Sequence, residues 1–320
     1  MTASIRKDGS SRFSSNNRYG TFPSVALGWN ISRENFFKPL THIISNLKLR
    51  ASYGVLGNQN IGDFQYSAAV ASNLNYVIGT TQQKWFGAIQ TALVSPNIKW
   101  ETTKTVDVGF DAGLFNNKLN ITADYYNKIT SDVLLNVPIP GSVGSTANPV
   151  VNAGKISNHG VELSVNYADH IGKLNLVFFG TISFERNKVL QLGTGTQQIF
   201  GGTTWQWGGT STLTEAGGPI GAFYLIKDLG IFNSQAEIDA YKDPKTGQLI
   251  QPNAKPGDVK FLDANGDGKI NSNDAVYCGS PFPKFQYGFG FDASLSNFDI
   301  TVFLQGTQGN KIYNAVKQVL

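Results

Sequence analysis

Val106-Asp107-Val108-Gly109-Phe110-Asp111-Ala112-Gly113-Leu114, a turn at Asn116-Asn117, and Leu119-Asn120-Ile121-Thr122-Ala123-Asp124-Tyr125-Tyr126 decide the fold class. Apolar residues fall on every second position of both arms. A period of two marks a strand whose faces meet unlike surroundings. Asp107, Asp111 and Asp124 all lie in the polar series. The stretch therefore reads as a hairpin with one apolar and one charged face.

The same pattern recurs on either side. Val25, Leu27, Trp29 and Ile31 alternate with polar or small residues, as do Leu47, Leu49, Ala51, Tyr53 and Val55. Further on come Val161 to Tyr167, Leu174 to Ile182, Phe285 to Leu295 and Phe298 to Leu304, with Val177, Phe179 and Phe303 interrupting the polar series. These make about eight strands, often nine residues or longer, the length that crosses a bilayer at about 45° tilt. Links within pairs are short at Asn116-Asn117, Asp169-His170-Ile171-Gly172 and Ser296-Asn297, and longer around Phe36-Phe37-Lys38-Pro39. Links between pairs are long, over 58–98, 134–156 and 190–283.

Because each strand reverses direction, the short turns gather at one rim and the long loops at the other. Outer-membrane barrels have this asymmetry, with short periplasmic turns and long extracellular loops. A soluble sandwich is the competing reading, but its strands are usually near 5–6 residues. Asp107, Asp111, Asp124, Glu162, Asp292 and Asp299 share the polar series. A charge on a lipid face costs up to a few kcal/mol at the midplane, so that series is expected to face the lumen. Trp29, Phe36, Phe37, Phe115, Tyr167 and Phe298 stand beside the short turns, where an aromatic girdle is expected.

Composition agrees. The chain has 15% charged residues, 12% aromatics and 35 Gly among 320 residues; soluble domains average about a quarter charged. The fold class is all-β, an antiparallel transmembrane β-barrel segment. No apolar run approaches the roughly 18 residues of a spanning helix. The net charge of +4 is spread along the chain without a basic stripe, which sets nucleic acid aside. A single cysteine, Cys278, excludes an intramolecular disulfide.

Within the 190–283 link, residues 263–274 follow the twelve-position calcium loop. Asp263, Asn265 and Asp267 supply side-chain oxygens, Gly268 at position six permits the sharp turn, Lys269 offers its carbonyl and Asp274 closes. Asp stands where Glu normally gives two oxygens, and no helical pattern precedes the loop. Calcium is one reading; a polar turn built on Asn-Gly and Asp-Gly is the other. Trp205 and Trp207 are candidates for stacking on substrate, with loop packing as the alternative. His42, His159 and His170 are scattered without metal-ligand spacing, and the glycine-rich stretches lack a phosphate-loop lysine. No catalytic residue is assigned, and the chain reads as no enzyme.

Several segments, in order, carry a family resemblance. They are Arg18-Tyr19-Gly20-Thr21-Phe22-Pro23-Ser24, Leu47-Lys48-Leu49-Arg50-Ala51-Ser52-Tyr53-Gly54 with Gly57-Asn58-Gln59, and Trp100-Glu101-Thr102-Thr103-Lys104. Asn158-His159-Gly160-Val161-Glu162-Leu163, Gly218-Pro219-Ile220-Gly221-Ala222-Phe223-Tyr224 and Pro256-Gly257-Asp258-Val259-Lys260-Phe261 follow. Pro281-Phe282-Pro283-Lys284-Phe285 and Leu304-Gln305-Gly306-Thr307-Gln308-Gly309-Asn310 come last. In these the chain resembles SusC/RagA-type TonB-dependent outer-membrane transporters of Bacteroidetes.

The resemblance implies part of a barrel of about 22 strands, spanning 1–320, in outer-membrane lipid. It also implies a SusD-like lipoprotein as lid, oligosaccharide or peptide as cargo, and force from the TonB complex. The plug and TonB-contacting segment are expected before Arg6 and the closing strands after Leu320. Transport would then belong to a longer protein. A glycan-binding or adhesive β-module without transport is the alternative, in which the same long loops hold glycan.

Overall fold

The structure, a computed structural model, describes residues 1–72, 74–90, 93–137, 142, 148–193, 198–204 and 210–314. It divides into two compact units, Met1–Gln197 with Phe285–Gly306, and Gln198–Lys284 with Thr307–Leu320.

The first unit is a nine-stranded antiparallel sheet among the described residues. Its strands begin with β1 (Thr2–Gly9), β2 (Tyr19–Asn30), β3 (Ile44–Asn58), β4 (Glu101–Leu114), β5 (Leu119–Ser131), β6 (Lys155–Ile171) and β7 (Leu174–Gln191). Six strands of the second unit intervene among the described residues: β8 (Gln198–Thr204), β9 (Thr210–Glu215), β10 (Ala222–Ile226) and β11 (Ala275–Gly279) share one sheet, and Asp228–Ile231 pairs with Val259–Phe261. Then β12 (Phe285–Leu295) and β13 (Phe298–Gln308) complete the large sheet, in which each strand neighbours the next in the chain order of that unit. All four hairpins expected from the alternation are present.

Register carries the alternation from strand to strand. One row joins Gly28, Arg50, Gly109, Asp124, Glu162, Ser183 and Gln286 as successive partners. The row beside it joins Leu27, Ala51, Val108, Tyr125, Val161, Phe184 and Phe285. On the other side the row is Trp29, Leu49, Phe110, Ala123, Leu163, Ile182 and Tyr287. A slip of one residue in any strand would move its whole apolar set to the polar face, so register is tightly specified. The apolar face stands open, with Val108 51%, Val161 45% and Phe184 47% exposed.

The strand count differs from about eight by β1. Only Ala3 and Ile5 supply apolar residues to its outward series, which Lys7 interrupts, too little alternation to register. At the far end, β7 is 18 residues long, roughly 60 Å at ~3.3 Å per residue. Tilted by about 45° it rises ~40 Å, more than the ~30 Å hydrocarbon layer. The surplus is legible in Glu185-Arg186-Asn187-Lys188, where alternation stops and polar residues occupy both faces. Asn187 Nδ2 donates to Asn158 Oδ1 there at 2.6 Å.

The turns close by backbone chemistry. Phe115, Asn116 and Asn117 take positive φ of 54°, 58° and 62° between β4 and β5, a conformation asparagine tolerates better than most residues. The wider β2–β3 link is two 3₁₀ turns, Ile31–Arg33 and Asn35–Leu40, with Phe37 buried. Trp29 packs on Phe36 with ring centres 6.4 Å apart and donates its indole N–H to Glu34 at 3.0 Å.

Candidate functional site

The polar face of the large sheet is cross-linked by charge. Arg50 on β3 reaches Asp111 at 2.9 Å on β4 and Asp124 at 2.9 Å on β5. Arg50 and Asp124 are two strands apart, with Gly109 between them in the row. A Cβ at Gly109 would lie 1.9 Å from Asp124 Oδ1, so only glycine lets the guanidinium and carboxylate meet. Thr122 donates its hydroxyl to Asp111 at 3.2 Å. Of the acidic residues expected on this face, Asp111 and Asp124 are thus brought together by Arg50, a partner that strand periodicity alone does not single out.

The residues that interrupt the polar series also have a partner. Phe179 on β7 and Phe303 on β13 stack with ring centres 6.0 Å apart, across the intervening β12. Gly288 and Gly290 on β12 leave the space: a Cβ at Gly290 would lie 2.6 Å from the Phe179 ring and one at Gly288 3.3 Å from Phe303. Two phenyl rings thus cover two glycines, forming an apolar ledge on an otherwise polar face.

Where the long loops leave the sheet, an apolar cluster ties them down. Phe13, Phe22, Ile61, Ile98 and Trp100 are buried together. The Phe22 ring packs so closely on Gly57 that a Cβ there would lie 2.0 Å away. Trp100 donates to the Arg18 carbonyl at 3.2 Å, and Arg12 pairs with Asp63 at 3.0 Å. At the opposite, short-turn rim, Lys118 pairs with Asp169 at 2.6 Å, and the Tyr167 hydroxyl donates to Asp169 at 2.9 Å.

In the second unit, β8 to β11 form a four-stranded sheet. A short helix, Gln235–Ala240, is capped by Ser234. Glu237 accepts the Asn233 amide, which holds its carboxyl below the usual range. Asp243 is buried and accepts the Thr246 hydroxyl at 2.6 Å and the amides of Lys245 and Thr246. The Thr246 hydroxyl is the main reason its carboxyl titrates low. Burial pushes the Tyr241 phenol up. Tyr241 donates to the Phe261 carbonyl at 2.5 Å and accepts the Asp263 amide, seating the entrance to the 263–274 loop. Burial likewise raises the Cys278 thiol.

The 263–274 loop is knit by its own side chains. Asp263 Oδ1 accepts the amides of Gly266 and Asp267, and Oδ2 that of Gly268. Asn265 Oδ1 accepts the Asp267 amide, Asn265 Nδ2 donates to Asp267 Oδ2, and Asp267 Oδ1 accepts the Lys269 amide. Gly266 and Gly268 take positive φ of 68° and 79°. Asp274 is fully buried and accepts the amides of Ala264, Asn265 and Asn271. Asp263, Asn265 and Asp267 therefore gather at one turn, while Asp274 is committed to amides. Among the described residues no three His, Cys, Asp or Glu side chains form a metal-holding group. Trp205 and Trp207 lie outside the described residues.

A family model described as TonB dependent receptor-like, beta-barrel matches residues 1–244. TonB-dependent receptor P26 of Formosa agariphila is 36% identical over 317 residues. TonB-dependent receptor SusC of Bacteroides thetaiotaomicron is 30% identical over 322 residues. Both alignments take in 98% of this chain and 30% of the relative, so the chain spans less than a third of their length. The solved structure of the RagAB peptide transporter matches with a TM-score of 0.73 at 25% identity, over 95% of this chain and 31% of that one. For the RagAB peptide importer in its open-open state the TM-score is 0.74 at 26% identity, over 96% and 30%.

Proposed function

The chain belongs to the TonB-dependent receptor-like β-barrel family, and we propose that it builds part of the wall of an outer-membrane importer. The observation that carries this reading is the register: one charged row flanked by two apolar rows across seven strands, with the apolar face open. Such a face is stable against lipid and unstable in water. The charged face then borders the lumen. The outer strands β1 and β13 each need a neighbour in lipid, where open backbone groups go unpaired.

We assign the whole protein the import of oligosaccharides or peptides, a SusD-like lipoprotein as lid and the TonB complex as the source of force. The likeness to a relative named SusC and to a structure described as a peptide transporter supports this. Transport of this kind moves its cargo unchanged and calls for no catalytic residue. Fractionation of cells expressing the full-length receptor is the test. Recovery with outer membranes, released only by detergent, is expected; recovery in the soluble fraction without detergent would defeat the reading and favour a soluble glycan-binding module.

Calcium at the 263–274 loop is carried as a proposal on donor spacing alone. Asp263, Asn265 and Asp267 share one turn, and Asp274, which closes the loop, also accepts three of its amides. Calorimetric titration of the receptor with calcium, repeated on Asp267→Asn, tests it. Heat at millimolar calcium or below that the variant loses supports the site; no heat defeats it.

A further inference from the structure

On one face of the four-stranded sheet of the second unit, a cleft of about 370 Å³ opens between the tyrosines of two neighbouring strands and the turn that follows β9. Its volume lies in the ~300–1,000 Å³ range of small-ligand sites. Tyr224 on β10 and Tyr277 on β11 are direct cross-strand partners, and Tyr277 is 61% exposed. Leu213 and Ala222 form a buried floor. At the rim stands Glu215, exposed, whose Oε2 accepts from Gln198 at 3.1 Å. Phe200 on β8 packs on Tyr224 with ring centres 6.3 Å apart and backs its ring.

We propose that this cleft is a saccharide subsite, taking a pyranose ring face-on against Tyr277 and Tyr224 with a ring hydroxyl donated to Glu215. A pyranose has an apolar C–H face and a polar hydroxyl edge. The cleft presents a partner for each: two tyrosine side chains beside an apolar floor, and a carboxylate acceptor at the rim. An extended peptide fits less well, because it binds through backbone hydrogen bonds at a sheet edge, and this cleft lies on the sheet face. A cationic side chain would find a single carboxylate, Glu215, among the lining residues and no second acid beside it. The site rests on the importer reading for its consequence, a saccharide cargo, but not for its binding.

Calorimetry on the full-length receptor in detergent tests it. The probes are maltohexaose, cellohexaose, xylohexaose and mannohexaose, with trialanine and trilysine as peptide arms. At least one saccharide is expected to bind. Tyr277→Ala should weaken it about tenfold or more, the loss of a stacking contact, and Glu215→Gln severalfold. Tyr277→Phe, which keeps the ring, should stay within about threefold of wild type. Tyr277 is exposed, and an unchanged urea midpoint in each variant confirms that the fold is intact. Binding of a peptide arm alone, of no probe, or of a saccharide indifferent to Tyr277→Ala overturns the subsite. Import that persists in such a case leaves the importer reading standing, and soluble recovery of the receptor overturns that reading without touching the subsite.

Discussion

Gly109→Ala isolates the charge cross-link of the polar face. The new methyl would lie 1.9 Å from Asp124 Oδ1 and 2.7 Å from the Ala123 carbonyl oxygen, both well inside contact distance. Asp124 is the end of a side chain and swings away, giving up its 2.9 Å contact with Arg50. The Ala123 carbonyl is backbone and yields only if β4 and β5 shift. Overpacking of this kind costs about 1–3 kcal/mol, and losing a partly exposed ion pair adds up to ~1 kcal/mol. Arg50 keeps Asp111, so the loss of charge pairing is partial. We expect Gly109→Ala to destabilise the receptor by about 2–3 kcal/mol in urea unfolding followed by tryptophan fluorescence in detergent. A double-mutant cycle with Asp124→Ala sharpens the test. Removing the carboxylate first makes room for the methyl, so the two losses should fall short of their sum by about 1–2 kcal/mol. The residue left over reports the Ala123 clash. Strict additivity, or a Gly109→Ala change below ~0.5 kcal/mol, would refute the claim that glycine is there to let Arg50 and Asp124 meet.

Other perturbations probe the remaining faces. Val108→Arg, in the exposed apolar row, should cost roughly 2–4 kcal/mol near the midplane and reduce recovery in the outer-membrane fraction, while Ser183→Arg in the polar row should leave recovery unchanged. Asp274→Ala strips the acceptor from the amides of Ala264, Asn265 and Asn271; a loss of about 2–4 kcal/mol should appear as faster hydrogen exchange at those three amides, and unchanged exchange would contradict the buried network. Asp243 titrates below its ordinary 3.8 because of the Thr246 hydroxyl and nearby amides. Its contribution to stability is therefore present above that value and is lost as pH falls through the lower folded pKa. Thr246→Ala removes the first cause, so the Asp243 carboxyl should titrate closer to 3.8, read by carbon NMR of the side chain; an unmoved titration would show that the hydroxyl does not set it.

The large sheet was legible because its signal is local and repeated. Each of β2 to β7, β12 and β13 alternates over enough residues to expose its period, and the long and short links assign the rims without any knowledge of contacts. Even the exceptions were visible as exceptions. Phe179 and Phe303 break the polar series for a reason that lies across β12, where glycine makes room for both rings. Periodicity reports which face a residue is on and says nothing about its neighbour in the row. The Arg50 network depends on such neighbours, since Gly109 and Asp124 reach Arg50 only through the registers of β3, β4 and β5. A glycine between opposite charges on the two strands that flank it is the trace it leaves in sequence, and reading it requires the register first.

The second unit was illegible for a different reason. Its described strands run three to seven residues, too few for alternation to stand out, and its partners are distant: Tyr224 pairs with Tyr277 across the helix and the 263–274 loop. The two tyrosines lie more than fifty positions apart in a long link with nothing in the sequence to join them, whereas the two tryptophans nearby draw attention by residue type alone. The 263–274 loop shows the converse limit. Its oxygen spacing is shared by calcium loops and by chains of side-chain-to-amide turns, and calorimetry with calcium separates the two. Asp274 points at three amides of its own loop. Spacing fixes which residues are available to a site; the burial of Asp274 and the amides it accepts are properties of the fold around the loop and have no trace in spacing.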